Sequence, residues 1–207
     1  MIMPVTVGEQ SEHEIAIVLL AAGSSSRMGK SKQLIRIHGE TLLEKSVNVA
    51  LQSRSKNIIV VLGANEGAHR VMLDKFKISV VYNPQWKTGM GSSLKAGLRC
   101  LKSSAVKFKA ILVMVCDQPL LTASHLNKLI DHYHSTRKQI IASGYSGAMG
   151  VPAIFDASML PMLNELDDRQ GAKKIIDASK ELVDCINFPE GAIDLDTPED
   201  VRKFLDR

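Results

Sequence analysis

Short apolar, β-branched runs at residues 15–20, 57–62, 78–82 and 110–115, with a fifth at 139–142, alternate with stretches of helical periodicity. A strand that reads as a continuous apolar run is buried on both faces, and parallel neighbours need a crossover long enough to hold a helix. The alternation therefore predicts an α/β chain with a mainly parallel central sheet. Between the runs, Leu42, Leu43, Val47, Ala50 and Leu51 share one helical face, as do Val71, Met72 and Phe76 after Gly67. Leu94, Leu98 and Leu101 repeat the pattern, and Leu126, Leu129, Ile130 and Tyr133 repeat it after Pro119.

Beyond residue 142 the alternation weakens. Gly144, Gly147, Gly150 and Pro152 predict a turn-rich stretch, followed by helices at 158–166 and 172–178 and a strand at 182–187. Thr197-Pro198-Glu199-Asp200 places a capping Thr, a Pro at the first helical position and acids in the first turn, which predicts a last helix through Leu205. No linker, repeat or low-complexity segment divides the chain. The expectation is one domain over residues 15–207, preceded by a flexible segment over 1–14 that holds three Glu and no Lys or Arg and so does not read as a signal peptide.

The 207 residues suffice for a substantial core, and 45% hydrophobic with 23% charged residues is the balance of a soluble globular protein. No apolar run approaches the roughly 18 residues of a membrane span. Cys100, Cys116 and Cys185 are odd in number and lack a C-x-x-C spacing, so neither a disulfide framework nor a zinc ribbon is expected and a reducing cytoplasm is the simplest home. Residues 27–56 hold seven Lys or Arg against two Glu, which suits a phosphorylated small molecule. With aromatics at 4% and no basic helix, nucleic acid is not an expected partner.

Ligands of an open parallel sheet gather at the carboxyl ends of its strands, so the residues after each run matter most. After the first comes "LLAAGSSSRMGKSK", where Leu20, Ala21, Ala22, Gly23 and Ser24 allow close backbone approach to a triphosphate and Arg27, Lys30 and Lys32 supply charge. The segment ends like a P-loop, but Gly23 and Gly29 are separated by five residues where a P-loop has four, so Lys30 and Lys32 compete for the leading role. "NPQWKTGMGSS" follows the third run. Gly89 and Gly91 begin like a dinucleotide fingerprint whose third glycine position is taken by Leu94, and Ser92 is either a ligand or a helix cap. Trp86 is a loop anchor or a stacking platform. Asp117 ends the fourth run in "VCDQPL", where a carboxylate can hold Mg²⁺ beside substrate phosphates, and "AIDLDTPED" offers Asp194 or Asp196 as a second ligand. The histidines read as core or surface residues, and His132 and His134, two apart on a helix, cannot form an i, i+4 zinc pair.

With these residues assembled, the chain resembles the nucleotidyltransferases of molybdenum cofactor maturation, above all the cytidylyltransferases, over residues 15–205. The resemblance rests on "LLAAGSSSRMGKSKQL", "VVYNPQWKTGMGSSLKAGL", "CDQPLLT" and "DLDTPEDV". It implies a three-layer Rossmann-like fold and transfer of a nucleoside monophosphate from an NTP to the phosphate of a molybdopterin-type acceptor, with pyrophosphate leaving. Ala21-Ala22 is associated with CTP in that family, and Ala-Gly or Gly-Gly at these positions with GTP. The implied catalytic residues are Arg27, Lys32 and Asp117, with Lys30 incidental and with Mg²⁺ on Asp117 and Asp196, Asp194 being the rival ligand. The implied nucleotide side adds Leu20, Ala21, Ala22, Gly23, Ser24, Gly63, Gly89, Gly91 and Ser92; the acceptor side holds Ser93, Gln118, Gly150, Pro152 and Gly171. A molybdoenzyme or its maturation factor is the implied protein partner. Val151 departs from the pattern, standing where relatives have His or Arg between a Gly and a Pro. Other readings are a nucleotidyltransferase for a sugar phosphate or another acceptor, a P-loop NTPase or kinase, and a non-catalytic cofactor carrier.

Overall fold

In a computed structural model, which describes residues 14–25, 28–29 and 31–206, the first apolar run forms β1 (Ile15–Ala21), buried along its whole length. The segment expected to be flexible falls almost wholly outside the described residues. β1 lies between β4 (Asn57–Leu62) and β6 (Ala110–Val115) and is parallel to both, with Val18 opposite Ile59 on one side and Val113 on the other. Beyond β4, β5 (Ser79–Tyr82) makes a parallel edge. A small separate ribbon pairs β2 (Arg36–Ile37) with β3 (Glu40–Thr41).

The side-chain period of two sorts β1 between two apolar layers. Ile15, Ile17, Leu19 and Ala21 pack with Leu43 and Val47 of α1 (Leu42–Gln52) and with Leu126 and Leu129 of α4 (Ala123–Ser135). Ala16, Val18 and Leu20 pack on the other face with Leu94, Leu98 and Leu101 of α3 (Met90–Ser103), Leu163 of α5 (Leu160–Glu165) and Ile176 of α6 (Lys173–Ala178). The result is three layers, a sheet covered by helices on both faces. Helix α1 opens with a reciprocal Thr41–Glu44 capping box, and α7 (Pro198–Leu205) with a Thr197–Asp200 box, as the sequence predicts for the latter.

Two expectations are corrected. Residues 144–152 are not a string of turns: β7 (Ile140–Tyr145) and β8 (Ala148–Asp156) form a hairpin, closed by Ser146 and Gly147 at φ 51° and 72°. Two successive positive φ values match the right-handed twist of a tight hairpin. Pro152 is tolerated in β8 because the register shifts there, Ser143 facing Gly150 and Ile141 facing Ile154, so a bulge absorbs the residue that lacks an N–H. Strand β8 runs against both β6 and β7, and β9 (Val183–Asn187) closes the order β5-β4-β1-β6-β8-β7-β9. The second correction is Val71, which is 74% exposed on α2 (Glu66–Leu73), whereas His69 and Leu73 form the buried face. Met72 and Phe76 stay partly buried, so of the expected face only Val71 is turned out.

Candidate functional site

The loop after β1 leaves the sheet beside the ends of β4 and β6 and curves over a cavity of about 310 Å³. Leu20 to Ser24, Lys32, Gly89, Ser93 and Asp117 line this cavity together with Gln33, Trp86, Lys87, Met90 and Cys116. Three carbonyls of the loop are held by the protein. The Gln33 amide donates to Ala21 O (3.3 Å) and Gly23 O (2.9 Å), and the Ala64 amide donates to Ala22 O (3.0 Å). In a planar trans peptide the N–H points opposite the C=O, so the Gln33 side chain, by holding the carbonyls of Ala21 and Gly23, turns the N–H groups of Ala22 and Ser24 away from itself. Such N–H groups suit an anion. Gln33, 1% exposed, therefore shapes the loop, although nothing in its spacing distinguishes it in the sequence.

Lys32 Nζ donates to Asp117 Oδ2 at 2.7 Å and Asp196 Oδ1 at 2.9 Å. Asp117 stands at the end of β6, and Leu195 brings its neighbours to it: its amide donates to the Asp117 carbonyl (3.2 Å) and its side chain is fully buried with Met28, Ile35, Ile37 and Leu42. Asp194 and Asp196 flank that anchor. Burial lowers the proton affinity of Lys32, but the charges and hydrogen bonds of the two carboxylates more than reverse this, so its pKa lies above the ordinary lysine value and the ammonium stays charged. Asp194 is shifted the other way, upward, first by burial and then by the charges of Asp196 and Asp117. Cys116 is buried and its thiol is pushed up to about 12, chiefly by desolvation and then by Asp117, so it is a packing residue and not a nucleophile.

A second cavity of about 230 Å³ adjoins the first and shares Leu20, Met90, Val115 and Asp117 with it. Gln118, Gly150 and Gly171, which the sequence assigns to the acceptor side, line it together with Tyr145, Val151, Lys173 and Asp194. Asp117 thus stands where the two cavities meet. The Gln118 amide donates to the carbonyls of Val151 (3.1 Å) and Gly191 (3.3 Å), which ties the bulged part of β8 to the segment before Asp194. Val151 turns an apolar side chain to this cavity.

Ser92, Gly63, Gly91 and Pro152, also expected to meet a ligand, are set behind the walls, and Gly89 lines the first cavity while it also docks a neighbouring loop. Ser92 is neither a cap nor a cavity residue: the buried Asn83 amide donates to its hydroxyl (2.9 Å), which lies 2.8 Å from the Gly89 carbonyl. Gly63 gives Ala22 and Trp86 room, since a Cβ there would fall 2.5 Å from Ala22 O and from Trp86 Cβ. Gly89 and Gly91 do the same for the 167–170 loop. Gly89 adopts φ +138°, and a Cβ on Gly91 would sit 2.4 Å from Asp167 O, while the Gly91 amide donates to Asp168 O at 2.9 Å. The glycines that begin like a dinucleotide fingerprint thus dock two loops. Pro152 is buried, with its carbonyl accepting from Ser143 Oγ at 2.6 Å. Arg27 and Lys30 lie outside the described residues.

Both carboxylates of the Lys32 pair converge on one atom, and their hard oxygen donors fit a divalent cation whose remaining positions go to water and phosphate. Among the described residues no cluster of three or more His, Cys, Asp or Glu has a metal-holding arrangement. No helix of the described residues is long and apolar enough to cross a membrane.

The model of the family described as "MobA-like NTP transferase domain" matches residues 17–183. The chain is 31% identical over 202 residues to nicotine blue oxidoreductase of Paenarthrobacter nicotinovorans, covering 91% of this chain and 95% of that protein. It is 25% identical over 186 residues to the molybdenum cofactor cytidylyltransferase of Escherichia coli, covering 90% and 93%. The crystal structure of Rv0371c from Mycobacterium tuberculosis superposes with a TM-score of 0.78 at 27% identity, covering 94% of this chain and 99% of that one, and its complex with manganese superposes with a TM-score of 0.74. On the span of the family match and the similarity along nine-tenths of its length, the chain belongs to the MobA-like NTP transferases, a family of nucleotidyltransferases.

Proposed function

We propose that this chain, acting as one domain over residues 15–207, transfers CMP from CTP to the terminal phosphate of a molybdopterin-type acceptor. The observation that carries the reading is Lys32 holding Asp117 and Asp196 at the junction of the two cavities. The nucleotide occupies the first cavity, its triphosphate against the N–H groups of the loop after β1, with Arg27, Lys32 and Lys87 supplying positive charge. Trp86 flanks the base or ribose. The acceptor occupies the second cavity, and its terminal phosphate meets the α-phosphorus beside Asp117.

An oxygen of the acceptor phosphate forms the new P–O bond to the α-phosphorus, and the bond from the α-phosphorus to the bridging oxygen of the β-phosphate breaks, releasing pyrophosphate. The nucleophile is already an anion at neutral pH, so the site needs no strong general base and no covalent intermediate. Its task is to offset the repulsion between two phosphates, and pre-arranged cations and N–H dipoles do this most effectively in a water-poor cleft. Mg²⁺ held by Asp117 and Asp196, with Asp194 adjacent, would neutralise charge on the phosphate oxygens. Lys32 then keeps its charge beside the triphosphate.

Ala21-Ala22 and the similarity to a cytidylyltransferase support CTP as the donor. The acceptor reading rests on that similarity and on a second cavity with an apolar wall and a polar rim. Val151 removes a donor from that wall, which favours an acceptor that makes fewer polar contacts there than those of relatives with His or Arg. The test is pyrophosphate release with Mg²⁺ and each of CTP, GTP, ATP and UTP, with and without molybdopterin. Release with CTP that depends on the acceptor supports the reading. Release with another acceptor retains the reaction and replaces the substrate; acceptor binding without release from any NTP makes the chain a carrier.

A further inference from the structure

One buried titratable side chain that the mechanism does not use is joined to the nucleotide loop. His69 is 0% exposed, and its Nε2 lies 2.7 Å from Ser31 Oγ, which lies 2.7 Å from Gln33 Oε1. The direction of these hydrogen bonds follows from the far end. Gln33 places its NH₂ against the carbonyls of Ala21 and Gly23; the opposite amide orientation would set oxygen against oxygen at both. Its Oε1 is therefore an acceptor, and Ser31 donates to it. With its proton spent, the Ser31 oxygen accepts, so His69 carries its proton on Nε2. His69 Nδ1 is buried and has no partner among the described residues, as expected of a neutral ring whose other nitrogen bears no proton. Burial agrees with this, holding the His69 pKa below the ordinary histidine value.

We propose that His69 is a positioning residue for the nucleoside triphosphate. It donates to Ser31, which donates to Gln33, whose amide holds the carbonyls of Ala21 and Gly23 and so sets the direction of the Ala22 and Ser24 N–H groups. Ser25 joins the same hub, its hydroxyl donating to Gln33 Oε1 (3.1 Å) while it accepts from the Lys32 amide (2.9 Å), so the relay also steadies the backbone that carries the catalytic lysine. Helix α2, whose His69 lies 38 residues from Ser31 in sequence, thereby sets the shape of the phosphate cradle. The inference rests on the reading of residues 20–24 as that cradle and extends it to residues that touch no ligand.

The test is equilibrium binding of Mg²⁺–CTP, followed by calorimetry beside the thermal midpoint of each variant. Loss of one hydrogen bond in the relay is expected to weaken CTP about tenfold in His69→Phe and in Ser31→Ala. The double variant is expected to bind no more than twofold worse than either single one, because both remove the same support. His69→Gln, which keeps an N–H donor, should bind within about threefold of the parent protein. Leu73→Ala, a cavity on the same helix with no polar role, should lower the midpoint and leave CTP affinity unchanged. Ser31 is only half-buried, so its variant reports even if His69→Phe does not fold. Parent-like binding by Ser31→Ala, additive losses in the double variant, or a loss in Leu73→Ala equal to that in His69→Phe would each overturn the proposal. A parent protein that binds none of CTP, GTP, ATP and UTP would overturn the cradle reading itself, and the proposal with it.

Discussion

The two halves of the sheet solve different problems. From β5 through β6 the strands are parallel, each is followed by a loop at its carboxyl end, and those loops are fixed by buried amides: Gln33 under one and Asn83 under another. From β8 through β9 a strand is reversed, a bulge interrupts the ladder, and the cavity wall is formed by a valine, glycines and the start of α6. A triphosphate presents the same anionic groups whatever its acceptor, and a rigid row of N–H dipoles suits it. An acceptor differs between enzymes, and an irregular wall can change one residue at a time without disturbing a parallel ladder. In the proposed reading, the half that binds what is constant is regular, and the half that binds what varies is not.

The contrast can be broken most severely where the halves meet. Asp117→Ala is expected to lower pyrophosphate release about 10³-fold with either substrate saturating, because it removes a carboxylate common to both cavities. Next comes the lysine that pairs with it. Lys32→Ala should cost about 10²-fold in turnover, whereas Lys30→Ala should stay within about threefold; the reverse ranking would favour a P-loop enzyme. The docking of the two loops is tested by Gly91→Ala, whose methyl group would meet Asp167 O at 2.4 Å. About 2 kcal/mol of stability should be lost in urea denaturation, with KM raised for both substrates.

Smaller effects separate the halves. Val151→Arg should change KM for the acceptor about tenfold and leave KM for the nucleotide unaltered, a split that steady-state kinetics would show. Acid should loosen the second half. His125 lies beneath β7, stacked on Phe188 at 4.2 Å and bonded to Ser143 Oγ at 2.8 Å; burial first, and then the Lys128 charge, hold its pKa down to about 4. The folded ring stays neutral while the unfolded one takes a proton near its ordinary value. Stability is therefore complete above about pH 6.5 and is lost as the pH falls toward 4, by about 1 to 2 kcal/mol at pH 5. Denaturation of His125→Phe should lack this slope.

Much of the parallel half is legible in the chain. Continuous apolar runs read as strands, and four of them appear within a residue or so of their expected bounds; three are buried, while the edge strand β5 is partly exposed. The reversed strand β8 was hidden, because Gly150 and Pro152 are breakers by local rule and become strand residues only where a bulge removes the need for an N–H. The same holds within the site. Asp117 is marked by ending a buried strand, and Lys32 by its place after the glycine loop, but Gln33, His69 and Ser31 carry no local signature.

Local physics was enough where a residue's role depends on its own neighbours in the chain: apolar period, capping Thr197, a carboxylate at a strand end. The tertiary structure alone decided which distant groups share one atom or one proton. Lys32 meets Asp196 across 164 residues, and His69 meets Ser31 across 38, because burial of apolar faces brings the loops and the helix that carry them side by side. Burial is encoded along the chain; which polar groups it leaves facing each other is settled only when the layers close.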